Sequence, residues 1–319
     1  MSKVKLRVLT GEYESVRALR EGAVTAEGID LDFVPYPGTR QIHIMVHKGE
    51  DFDIGEYNAG AYMAKRCRGT PFTALPVFLH RRFRQGFVFV NVSKGIEKPA
   101  DLIGKRVGGT NFAPAGNLWI RGILENDYGV PHRSITWVTE RDEDAEFEYH
   151  QGLKVERIAP GGDLDDMLAA GELDAMISPN VARGIRERDP RIGRLFPNYK
   201  QVEIDYFKRT GIFPIMHVTT IREEIVDRHP WIVQSLTKAF DEAKKLAYKR
   251  LINPRIVPLA WYQTAWEEER EILGSDPWEY GLSPINRKNL ETLIGYVHQQ
   301  GLTDRRMSLE ELFPAGAFE

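Results

Sequence analysis

Three arginines and a histidine stand between two apolar runs in Pro76-Val77-Phe78-Leu79-His80-Arg81-Arg82-Phe83-Arg84-Gln85-Gly86-Phe87-Val88-Phe89-Val90-Asn91. Both flanks read as buried strands, so these cations are forced close to a core, where a cation generally has an anion to hold. A guanidinium grips a carboxylate through two parallel hydrogen bonds. Arg81 and Arg84 are therefore candidate carboxylate clamps, with ion pairing at the surface as the ordinary alternative and Arg82 as the solvated member. His80 precedes them and is a candidate proton donor, since adjacent cations lower the pKa of an imidazole.

Proton transfer has further candidates. Glu56 ends the strand-like Asp53-Ile54-Gly55-Glu56-Tyr57, at the carboxyl edge where ligands sit in parallel sheets, and could accept a phenolic proton. Its competing role is to cap the next helix. Glu12 and Tyr13 follow the first strand in the same way and are candidate ligand contacts. His217 follows the apolar run Gly211–Met216 and is either a proton donor or a core histidine held by a carbonyl. The segment Asn111–Asn117 precedes a helix, so its amides, with Asn111 and Asn117, could greet an anion. His43 and His47 have the i, i+4 spacing that can chelate a metal, but no third ligand of convincing spacing accompanies them, and no metal site is expected. Cys67 is the only cysteine. It forms no internal disulfide and no zinc site by itself.

The elements that must position these residues alternate. Leu6–Thr10, Ile29–Val34, Phe52–Glu56, Thr73–Leu79 and Phe87–Asn91 read as strands, and Glu14–Glu21, Gln41–Lys48 and Ala59–Arg68 as helices between them. Further on, Arg106–Gly109, Ile135–Val138 and Leu173–Ser178 read as strands, and Ala115–Tyr128 and Leu164–Ala170 as helices closed by Gly129 and Gly171. The acidic stretch Glu140–Glu148 reads as a solvated loop or insertion. Pro230 opens a long amphipathic helix carrying Ile232, Leu236, Phe240, Ala243 and Leu246-Ala247, and helical segments follow at Trp261–Leu273 and Arg287–Gln300. Alternating strands and helices predict an α/β fold of mainly parallel sheets. At 319 residues the chain exceeds one ordinary core, so two lobes are expected. With net charge −3 and no basic tract, neither nucleic acid nor membrane is an expected partner. The opening Met1–Thr10 alternates charged and apolar residues, unlike a signal peptide, which points to the cytoplasm.

Several phrases are more specific than these patterns. Lys94–Gly108 resembles the entry to the second lobe of a type II periplasmic-binding-protein fold. From Leu6 to Phe313 the chain resembles the 4,5-dihydroxyphthalate decarboxylase family, most tellingly at Leu118–Val130, Ile135–Thr139, Asp166–Ala175, Arg209–His217, Asn286-Arg287-Lys288 and Glu310–Phe313. Phe83-Arg84 matches as well. The resemblance implies a two-lobed fold, residues 1–90 with 216–319 forming lobe 1 and 91–215 lobe 2, with helices at the carboxyl terminus packed on lobe 1 and the ligand between the lobes. It also implies decarboxylation of an aromatic acid without an organic cofactor.

That reaction needs a proton donor, an acceptor for a ring hydroxyl and a cation for any carboxylate that stays, roles that His217, His80, Glu56, Arg81 and Arg84 could fill. Three departures stand out against the family pattern. Gln85 replaces a common His, Asn58 replaces a small hydroxyl residue, and the loop Gly109–Asn117 is unlike the usual one. They suggest an acid other than 4,5-dihydroxyphthalate, with Gln85 and Asn58 lining the site. The expected partner is a small aromatic carboxylate, and self-association is left open. The alternatives are a solute-binding protein for an aromatic or small carboxylate, or a lyase that does not decarboxylate.

Overall fold

The computed structural model describes residues 3–49, 52–143 and 147–319. In chain order it contains strand β1 (Val4–Leu9), helix α1 (Glu14–Arg20), β2 (Ile29–Phe33), α2 (Thr39–Lys48), β3 (Ile54–Asn58), α3 (Ala59–Cys67), β4 (Phe72–Leu75) and β5 (Val88–Asn91). There follow β6 (Arg106–Gly109), α4 (Ala115–Tyr128), β7 (Thr136–Thr139), β8 (Lys154–Arg157), α5 (Leu164–Ala170), β9 (Ala175–Ile177), α6 (Arg183–Glu187), β10 (Ile192–Arg194) and α7 (Tyr199–Thr210). The last part holds β11 (His217–Arg222), α8 (Glu223–Arg228), α9 (Ile232–Leu251), α10 (Tyr262–Leu273), α11 (Pro284–Gln299) and α12 (Leu309–Leu312). The chain divides into unit 1, of Met1–Arg81, Ile215–Glu291 and Met307–Glu319, and unit 2, of Arg82–Pro214 and Thr292–Arg306.

Unit 1 is built on a five-stranded sheet in the order β2-β1-β3-β11-β4. The β1 strand runs parallel to β2 and β3, whereas β11 is antiparallel to both β3 and β4. In this register His217 pairs with Asn58 and Thr219 with Glu56. An antiparallel strand begins where its parallel neighbours end, so His217 is delivered to their carboxyl edge. Leu6, Val8, Ile54, Leu75 and Ile221 from the sheet meet Val16 and Leu19 of α1 and the stripe Ile232, Leu236, Phe240 and Ala243 of α9. Each side chain buried in this way stabilises by about 1.5–3 kcal/mol. Leu246, expected on that stripe, is 42% exposed, because the buried face runs on through Lys244 and Ala247 and Leu246 lies off it.

Unit 2 has a six-stranded sheet ordered β10-β5-β9-β6-β7-β8. Strands β9, β6, β7 and β8 are mutually parallel, and β5 is antiparallel to β9 and β10. Phe89, Val138, Leu164, Leu168, Leu173, Met176 and Ile192 form its core. The α/β architecture with two mainly parallel sheets is as expected. The divisions fall elsewhere than at 90/91 and 215/216. They lie at 81/82 and 214/215, because Arg84–Phe87 is already tied to unit 2, and residues 292–306 join unit 2 instead of packing with lobe 1. Among the described residues no helix is long and apolar enough to cross a membrane.

Arg121 shows what attaches 292–306 to unit 2. Its guanidinium donates to Gln300 Oε1 at 2.6 Å and to the Phe112 carbonyl at 2.5 Å, and lies 3.6 Å from the centre of the Phe112 ring. Gln300 in turn donates to the Leu118 carbonyl at 2.9 Å. Both side chains are buried. Arg121→Ala leaves these acceptors unpaired and should destabilise the protein by about 3 kcal/mol in urea unfolding. A loss below about 0.5 kcal/mol, the usual range for a surface substitution, would contradict this attachment.

Candidate functional site

Glu56 lies in β3, 1% exposed, with its carboxylate at the carboxyl edge of the unit 1 sheet. One oxygen accepts from the Gly11 amide at 2.8 Å; the other accepts from the Tyr13 hydroxyl at 2.6 Å and lies 2.6 Å from His217 Nδ1. Since Glu56 only accepts from its other two partners, the network assigns the shared proton to His217 Nδ1. Nε2 is the second titratable nitrogen of the ring.

The elements explain the convergence. Gly11 and Tyr13 follow β1, Glu56 belongs to β3, and His217 opens β11. Two more imidazoles complete the cluster. His43 from α2 and His80 from the segment after β4 each stand edge-on to the His217 ring, with centroids 4.6 Å away. The amides of Met216 and His217 both donate to the His80 carbonyl, fixing that segment beside β11. Arg20, in the last turn of α1, donates to the Thr10 carbonyl at 2.7 Å. Burial lowers its pKa, and the charges of Glu12 and Glu56 oppose the shift.

A second arrangement belongs to unit 2. The segment before β5 lies beside Ser178, just past the end of β9. Arg84 is 2% exposed and donates through Nη2 to the Ser178 carbonyl at 2.6 Å, while its Nε meets no hydrogen-bond acceptor. Burial, and secondarily the charge of Arg82, pushes its pKa well down. The guanidinium lies against the first turn of α4, where a Cβ on Gly116 would come within 3.1 Å of Cζ. A desolvated cation against a helix amino terminus suits an anion, which both positive ends attract.

The remaining predicted residues take other places. Arg81 donates through Nη2 to the Glu279 carbonyl at 2.8 Å and Asn286 Oδ1 at 2.6 Å, which ties its segment to the start of α11 and the loop before it. Arg82 is half-buried and donates to the Pro179 carbonyl at 3.0 Å. Asn58 caps α3, accepting from the Gly60 and Ala61 amides, which leaves Glu56 free of the capping role. Gln85 is fully buried and accepts from the Arg84 amide at 3.2 Å. Asn117 donates to the Asn111 carbonyl at 2.7 Å, and Asn111 Nδ2 lies 3.4 Å from the Asp142 carbonyl, so both brace the loop before α4. Glu12 is exposed. Asn58 and, within the departing loop Gly109–Asn117, Asn111 and Asn117 are thus used by local structure, whereas Gln85 Nε2 is buried without a hydrogen-bond partner among the described residues. Part of the acidic stretch is also structural: Glu143 accepts from the Phe112 and Ala113 amides at 2.6 and 2.8 Å, and burial raises its pKa. Residues 144–146 of that stretch lie outside the described residues.

Sequence reasoning missed His43 and Arg20. His43 was paired with His47 by helical spacing, but His47 Nδ1 bonds the Tyr57 hydroxyl at 3.0 Å while His43 meets His217. The available signal was that α2 follows β2 toward the same sheet edge. Among the described residues no group of three or more His, Cys, Asp or Glu side chains is arranged to hold a metal ion.

Residues 17–146 match the family model described as NMT1/THI5 like. The alkanesulfonate-binding protein SsuA from Xanthomonas axonopodis pv. citri has a similar fold, with TM-score 0.56 at 15% identity over 98% of this chain and 99% of that one. The architecture is accordingly that of a type II periplasmic-binding-protein-like fold. A 4,5-dihydroxyphthalate decarboxylase from Pseudomonas putida is 32% identical over 65% of this chain and 83% of its own length. A 4,5-dihydroxyphthalate decarboxylase from Comamonas testosteroni is 31% identical over 100% of this chain and 99% of its own. With that similarity spanning both chains, the protein belongs to the 4,5-dihydroxyphthalate decarboxylase family, a family of carboxy-lyases.

Proposed function

We propose that this protein decarboxylates a hydroxylated, phthalate-like aromatic acid, with His217 as the proton donor. The observation that supports the reading is the buried Glu56–His217 pair at the carboxyl edge of the unit 1 sheet. An aryl carboxylate loses carbon dioxide when the ring carbon bearing it takes up a proton. A hydroxyl ortho or para to that carbon supplies electron density. The new C–H bond forms with the proton from His217 Nε2, the C–C electron pair returns to the ring, and carbon dioxide leaves. One carboxylate and one proton give one arene and one carbon dioxide, and solvent reprotonates the imidazole. The ring's own hydroxyl is the electron source, so we propose that no organic cofactor takes part.

Glu56 holds the imidazole in the tautomer and orientation this transfer needs, a contribution of typically 10²–10⁴ in rate for general acid catalysis. His43 and His80 restrict rotation of the ring from two sides. Arg84 is assigned to an anionic group of the acid. The net charge of −3 and the lack of a basic tract favour a small molecule over nucleic acid as partner, and we place the reaction in the cytoplasm. Asn58 and the loop before α4 cap and brace the framework, while Gln85, buried beside Arg84, keeps an unpartnered Nε2, so 4,5-dihydroxyphthalate stands among the acids to be tried.

The test is carbon dioxide release from 4,5-dihydroxyphthalate, monohydroxyphthalates, hydroxybenzoates and unsubstituted phthalate. Turnover is expected where a hydroxyl lies ortho or para to a carboxylate, and none for phthalate. Tight binding of these acids without gas release from any of them would make the protein a solute-binding protein instead. Calorimetry separates the arginines. Arg84→Ala should weaken binding by on the order of 2–5 kcal/mol, since an anion loses a desolvated partner. Arg82→Ala should cost about 0.5 kcal/mol. Equal and small effects would remove Arg84 from the site.

A further inference from the structure

We propose that Tyr13 is a positioning residue that sets the proton affinity of His217 by sharing Glu56 Oε1 with it, and is not a substrate contact. The inference rests on the acid–base reading of His217 given above. Tyr13 Oη and His217 Nδ1 lie at the same distance, 2.6 Å, from the same carboxylate oxygen. The Gly11 amide holds the other oxygen at 2.8 Å. Glu56 is 1% exposed, so water does not stand in for these donors. A carboxylate shared among three donors attracts each proton less than one that serves His217 alone. Tyr13 therefore weakens the hold of Glu56 on the imidazolium and makes Nε2 a readier donor.

The backbone is shaped for this contact. The Tyr13 ring folds back over Gly11, where an added Cβ would lie 2.5 Å from Cε2. No side chain other than glycine's leaves the ring that path. Tyr13 also stands directly before α1, with an extended backbone that turns its side chain back toward β1 and β3. The other titratable groups facing the pair are His43 from α2 and His80 from the segment after β4, both edge-on to His217. Arg20 of α1 acts on Glu56 through its charge, and Glu12 acts on Arg20. Tyr13 is distinguished from these by touching the oxygen that His217 uses.

The sign of the effect follows. Removing the hydroxyl concentrates the carboxylate's charge on His217, so the imidazolium holds its proton to higher pH. In Tyr13→Phe the His217 imidazole, titrated by NMR in the ligand-free protein, should move up by about one pH unit, tenfold in proton affinity. The high-pH limb of the carbon dioxide release profile should move with it, because activity that needs protonated His217 is lost as pH rises through that value. Gly11→Ala, which displaces the ring while keeping the hydroxyl, should shift the titration in the same direction. An NMR midpoint that stays in place in Tyr13→Phe overturns the proposal, as does a raised KM with an unmoved pH limb, the signature of a substrate contact. The titration needs no turnover, so absence of carbon dioxide release from every acid would refute the decarboxylase reading while leaving this test intact.

Discussion

A carboxylate taken out of water must find donors, and Glu56 finds three from two segments: the Gly11 amide and the Tyr13 hydroxyl after β1, and His217 Nδ1 at the start of β11. Both segments are placed by the sheet. The parallel pairing of β1 with β3 brings Gly11 and Tyr13 to the end of β3, and the antiparallel register of β11 brings His217 to the same end. Removing any one donor leaves a buried acceptor short by a bond that costs about 1–3 kcal/mol or more when a charge is involved. The chemistry of the site and the closure of the unit 1 sheet are thus one constraint.

The same construction recurs in unit 2 with different chemistry. Each sheet has parallel strands and one antiparallel strand set among them, β11 in unit 1 and β5 in unit 2, each near the point where the chain enters that unit. Entering antiparallel puts the residues around the start of the strand at the carboxyl edge of the others. In unit 1 this is His217, beside which the His80 carbonyl accepts from the strand's first amides; in unit 2 they are Arg84 and Gln85. The first offers an imidazole paired with a buried carboxylate. The second offers a desolvated cation with an unused Nε.

Much of this was legible in the sequence because it is local. Alternation marked β1 and β2, glycine marked the ends of α4 and α5, and the arginine run between two apolar strands marked Arg84. Glu56 stood out as a carboxylate at a strand's end. Long-range pairings left no local mark. Arg81 reads like Arg84 until Asn286 is seen to occupy it, and nothing near Gln300 announces Arg121. His43 and His47 share a helical spacing and both meet Tyr57, yet His43 also packs edge-on against His217 while His47 bonds the Tyr57 hydroxyl. Asn58 differs from the family pattern in type, but its side chain serves a helix cap, work that a comparison of residue types cannot distinguish from ligand contact.

The central claim is that His217, held by Glu56, delivers the proton that replaces carbon dioxide on the ring. The most direct measurement is the kcat and KM of His217→Gln against the best acid found for the native protein. Glutamine can still donate a hydrogen bond to Glu56 but cannot deliver a proton at neutral pH. The expected result is a fall in kcat of about 10²–10⁴ with KM changed by no more than a few-fold. A kcat within about threefold of the native value would show that the proton comes from another group.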